Sequence, residues 1–67
     1  MKVKELMRKV HLYGEQRIMV NDLCTQQTIT TKDRYCFELD SDEVERIFNL
    51  KVNSFEVNEK GLRIWAE

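Results

Sequence analysis

Apolar residues recur along this chain with two different periods, and each change of period marks an element. Val3, Leu6, Met7 and Val10 fall at i, i+3, i+4 and i+7, one stripe of an amphipathic helix. Glu5 and Lys9 stand one turn apart on the other side, in the order that favours their attraction. Gly14 suits a left-handed cap, with His11 near the negative end of the helix dipole. The pattern predicts a helix over residues 3–13.

Period two then takes over. Ile18 and Val20 share one face of a strand over 16–20, and Arg17 and Met19 the other. Asn21-Asp22 reads as a turn or as the strand's end. Residues 23–34 are rich in threonine and glutamine, with Leu23 and Ile29 the only large apolar groups. Their β-branched side chains suit a short strand over 27–31 closed by a Lys32-Asp33 turn, with an ordered loop as the alternative. Tyr35, Phe37 and Leu39 alternate with Arg34, Cys36 and Glu38, the pattern of a half-buried strand. Asp40 is placed to cap a helix, Glu43 to reach back to its amide, and Leu39 and Val44 to form a hydrophobic staple. Val44, Ile47 and Phe48 give that helix its buried stripe, and Asn49 or the following turn ends it. At about two turns it needs a sheet beneath it to be stable.

The sharpest signal comes last. Residues 52–57 alternate, 58–61 supply turn chemistry, and 62–66 alternate again, which is a β-hairpin. With a loop at 58–61, Val57 opposes Leu62, Phe55 opposes Ile64 and Asn53 opposes Ala66, while Glu56 meets Arg63 on the other face. A slip of one residue would mix the faces, so the pattern selects this register and gives Gly61 the left-handed position. It also sets Trp65 beside Ser54, on the polar face.

The order α-β-(β)-β-α-β-β predicts one α+β domain over residues 1–67: a largely antiparallel sheet of four to five strands with two short helices on one face. The expected core is Leu6, Val10, Ile18, Phe37, Leu39, Val44, Ile47, Phe48, Phe55 and Ile64. An exposed edge at 62–66, or at the threonine segment, would be open to a second copy or another protein. Chains this short bury only ~60% of the surface exposed on unfolding, so dimerisation would help.

Composition narrows the chemistry. Net charge is −1, too weak a field to gather nucleic acid. The start of the chain is basic and its rear half acidic. Lys2, Lys4, Arg8 and Lys9 are the candidate phosphate contacts, but nucleic-acid readers normally have more cations, clustered, with stacking aromatics nearby. No apolar run is long enough to span a membrane, and the N-terminus lacks a signal peptide's apolar core, so a cytoplasmic protein is expected. Cys24 and Cys36 are too few for a disulfide scaffold and should be reduced. With His11 they fall short of the closely spaced ligands of a structural zinc site. Asp40, Asp42, Glu43 and Glu45 read as the acidic start of a helix rather than as a cation site or an acid–base pair. Gly14 and Gly61 leave no glycine for a phosphate loop.

These absences point to a chain with no catalytic site, cofactor or metal: a non-catalytic protein–protein interaction module, with an unidentified protein or a second copy as partner. The alternative is a nucleic-acid-associated regulator acting through the basic N-terminal helix. The candidate protein contacts are Trp65, of a type enriched at interface hot spots, with Arg63, Thr28 and Thr30.

The opening Met1-Lys2-Val3-Lys4-Glu5-Leu6-Met7, followed by Gly14-Glu15-Gln16-Arg17-Ile18-Met19-Val20, resembles small accessory proteins encoded in phages and prophages of Gram-positive bacteria. These often begin with a short Val-Lys-Glu-Leu helix leading into a strand. The resemblance covers residues 1–20. It implies no activity and transfers no functional residue, but it favours an accessory or regulatory role over a metabolic one.

Overall fold

The apolar stripe of the first helix forms, but over fewer turns than its period allows. In the computed structural model, which describes residues 1–33 and 35–67, α1 spans Val3–Lys9 rather than 3–13. Lys2 N donates to Glu5 Oε1 at 3.1 Å across its first turn. Leu12 explains the early stop. In a continued helix it would point about 180° away from Val3, into solvent. The backbone turns extended at Val10 instead, and Leu12 reaches the core at 3% exposure. Gly14, at φ +55°, therefore serves the turn into the first strand and not a helix cap.

Four strands follow, β1 (Arg17–Asp22), β2 (Gln27–Thr30), β3 (Val52–Asn58) and β4 (Gly61–Ala66), with α2 (Ser41–Asn49) between the second and third. The sheet order is β2-β1-β4-β3. The hairpins β1–β2 and β3–β4 are antiparallel, and they join through a parallel β1–β4 pairing. The fold is α+β, with a mixed sheet. Of the two readings of Asn21-Asp22, the strand end holds: both belong to β1, and the chain turns at residues 23–26.

Among the described residues no fifth strand forms. Arg34, which the expected strand and the polar stretch both included, lies outside the described residues. Asp33 Oδ1 accepts from the amides of Tyr35 and Cys36 at 3.1 and 3.0 Å, and Lys32 N donates to Cys36 O at 2.6 Å. Such local bonds compete with a sheet ladder for the same backbone groups. Only Phe37 still pairs, as an isolated bridge to Thr31, and only Phe37 of the alternating three is buried. Leu39 is exposed and is not a core residue.

In the final hairpin Val57 faces Leu62, Phe55 faces Ile64, Glu56 faces Arg63 and Ser54 faces Trp65, as the alternation requires. Ala66 opposes Val52 rather than Asn53, because a bulge between Val52 and Ser54 shifts the ladder. Gly61 has φ +129°, and a Cβ there would collide with Arg17 O. The backbone of β4 lies close against β1 here, with Arg17 N donating to Lys60 O at 3.0 Å.

Both helices cover one face of the sheet. Val3, Leu6, Met7 and Ile47 pack with Ile18, Val20, Leu62, Ile64 and Ala66, and Val10, Val44 and Phe48 close over them half-buried. Phe48 lies against Phe37, ring centroids 6.0 Å apart. Asp40 caps α2 as its position predicts, accepting from Glu43 N at 2.9 Å. Glu43 does not reach back to Asp40; its carboxylate pairs with Arg46 at 3.1 Å. Two expectations fail at the sheet's margins. Residues 62–66 are interior, since β4 lies between β1 and β3, and the edges are β2 and β3. Phe55, on edge β3, is 48% exposed and so not part of the core.

Candidate functional site

With both helices on one side, the alternate residues of every strand face outward on the other. The cross-strand registers bring Arg63 and Trp65 of β4 beside Met19 and Asn21 of β1, with Thr28 and Thr30 of β2 beyond them and Ser54 and Glu56 of β3 on the opposite flank. Among the described residues, no helix or strand lies over this face.

Its centre is held by one amide. Asn21 Oδ1 accepts from Trp65 Nε1 at 2.7 Å and from Arg63 Nε and Nη2 at 3.1 and 3.3 Å, while its Nδ2 donates to Thr28 Oγ1 at 2.9 Å. This is the amide orientation in which both ends find a partner. The Arg63 guanidinium lies 5.1 Å from the centroid of the Trp65 ring, in reach of a cation–π attraction. Trp65 is half-buried under these contacts. Beside the cluster, Asn21, Gln27, Thr28, Arg63 and Trp65 line a shallow groove of about 310 Å³. Side chains fixed by mutual bonds lose little freedom when something docks on them.

The four candidate protein contacts therefore share one face. Trp65, Arg63 and Thr28 join in a single network, and Thr30 stands one ladder step away, opposite Met19. Asn21, which organises them, is not among the contacts expected from the sequence. Its parity with Arg17 and Met19 was the signal that it belongs to this face.

The basic helix is less coherent. Lys2 Nζ donates to Asn49 Oδ1 at 3.1 Å and is drawn toward α2. Lys4 and Arg8 flank a separate concavity, and Lys9 stands apart from it, exposed.

Asp22 carries a second feature that the pattern did not reveal. It is 1% exposed, faces the core side of β1, and accepts from Arg46 Nη1 at 2.8 Å and from Cys24 N at 2.9 Å. Burial pushes its carboxyl up, but the bonds from Arg46, Cys24 and Thr25 outweigh burial and hold it below the ordinary value of 3.8. Glu43 and Asp22 in turn raise the Arg46 guanidinium further. The ion pair ties the β1–β2 turn to α2, a structural task.

Cys24 and Cys36 are both free and exposed. Among the described residues, no three His, Cys, Asp or Glu side chains converge as a metal site. Nor is any described helix long and apolar enough to cross a membrane. No protein family, no curated protein and no solved structure matches this chain.

Proposed function

We propose that this chain is a non-catalytic protein–protein interaction module that receives its partner on the open sheet face around Trp65. The observation that carries this reading is the Trp65–Arg63–Asn21–Thr28 network, ordered by its own bonds on a face that no helix covers. Tryptophan and arginine are the residue types over-represented among interface hot spots. Edge strand β3 adjoins the same surface, with unpaired backbone groups that suit strand addition by a protein segment or a second copy. Residence in the cytoplasm with reduced thiols, and an accessory or regulatory role in a phage or prophage, belong to the same reading. The second rests on the opening segment alone.

The test is affinity purification from the native cell with the parent chain and with Trp65→Ala and Arg63→Glu. The expected outcome is one protein retained by the parent and lost by both variants, each of which still melts cooperatively. Identical captures by parent and variants would remove the open face from the proposal. The competing reading, a nucleic-acid regulator working through α1, makes a different demand. It requires binding that falls steeply with salt and that disappears when Lys4, Arg8 and Lys9 are reversed in charge.

A further inference from the structure

Between the C-terminal half of α1, the extended segment after it and the near end of α2 lies a concavity of about 400 Å³. Its walls are apolar and aromatic: Met7, Val10, Tyr35 and Phe48. The Tyr35 hydroxyl lies 3.5 Å from Val10 O and 3.4 Å from Leu12 N, weak contacts that set it at the rim. Phe48 is braced from behind by Phe37.

Charge around this opening has one sign. Lys4 and Arg8, one turn apart on α1, stand at its margin. No carboxylate lines it. Among the described residues neither Lys4 nor Arg8 forms an ion pair. The nearest acid in sequence, Glu5, is engaged with the Lys2 amide. Apolar walls beside unpaired cations complement a molecule with an apolar body and one negative head. The volume falls in the range of small-ligand sites, ~300–1,000 Å³.

We infer that this concavity is a binding site for a small amphiphilic monoanion, a carboxylate on a medium-length alkyl or aryl body. The body displaces water from Met7, Val10 and Phe48, and the head rests between Lys4 and Arg8. The site lies apart from the Trp65 network and does not depend on the role given to it.

Isotope-labelled protein titrated with decanoate, decanol and decyltrimethylammonium, each kept below its aggregation limit, provides the test by amide chemical shifts. Decanoate should saturate, with the largest shifts at Met7, Val10, His11, Tyr35 and Phe48. Decanol should bind about tenfold more weakly, and the cation should cause no saturable shift. Lys4→Glu with Arg8→Glu should weaken decanoate about tenfold or more and leave decanol unchanged. If the double variant fails to fold, salt replaces it: rising ionic strength must weaken decanoate and not decanol. Equal affinity for decanoate and decanol overturns the inference. So do shifts centred on Phe55 and Val57, indifference to charge reversal or salt, and the absence of saturable decanoate binding.

Discussion

β3 and β4 are the two arms of one hairpin, carry the same alternation, and meet opposite fates. Leu62, Ile64 and Ala66 of β4 are at most 1% exposed. Phe55 and Val57 face Ile64 and Leu62 directly across the ladder, on the same side of the sheet, and are 48% and 56% exposed. Alternation therefore settles which face a side chain occupies, while place in the sheet order settles whether anything covers it. Two short helices cover the middle strands and fall short of β3. A hydrophobic face on an edge strand is a surface, whatever its sequence period suggests.

The largest effects should come from the buried arm. Ile64→Ala should cost roughly 3–4 kcal/mol, most of the stability of a domain this small, and abolish a cooperative thermal transition. Gly61→Ala should cost about 3 kcal/mol, from the unfavourable φ and the collision with Arg17 O together. A variant at either position that melts within a few degrees of the parent would break the contrast.

The next step down concerns the other middle strand. Arg46→Met leaves Asp22 as an unpaired buried carboxylate on β1. A fully buried pair would lose ~3–5 kcal/mol, and the partly exposed Arg46 brings the expected loss to about 2–3 kcal/mol by chemical denaturation. Because the folded-state pKa of Asp22 is depressed, its contribution is complete above 3.8 and is lost as pH falls through the lower, folded value. The parent should therefore lose part of its stability in acid, and an Asp22→Asn variant should show a flatter acid limb.

Asp40→Ala should remove about 1 kcal/mol through the lost cap on Glu43 N. Smallest of all, Phe55→Ala should cost less than about 1 kcal/mol, since half the ring is already in water. Phe55→Lys should then leave the monomer folded and suppress any association through β3. Sedimentation of both forms across a range of concentrations reads this directly, and an unfolded Phe55→Lys would place the ring in the core after all.

What the sequence made legible was mostly local. The hairpin register, the Asp40 cap and the stripes of both helices depend on residues a few positions apart, where pattern and turn chemistry act together. The four candidate contacts also landed on one face, because strand parity alone carries Trp65, Arg63, Thr28 and Thr30 there. The failures came from competition and distance. Leu12 ended α1 early because the core held a place for it that a helix could not reach. Asp33 drew the backbone of residues 35 and 36 into a turn where their side chains alternated like a strand. The parallel β1–β4 pairing leaves no mark in either segment. It decides that β4 is central, that β3 is an edge and that Asp22 is buried.

That parallel pairing also sets the order of events in folding. β1 lies near one end of the described chain and β4 near the other, so their contact closes almost the longest loop the molecule contains. Each hairpin can form early from its own residues, but neither has a complete core until the two meet. Topologies weighted toward such distant contacts fold slowly for their size. During synthesis, β1 and β2 would wait, apolar face open, until the last strand left the ribosome. Because the Ile18 amide bonds toward β2, the alternate amides of Met19 and Asn21 point toward β4; a nascent chain halted before Gly61 should therefore leave those two open to exchange, while the chain through Ala66 protects both.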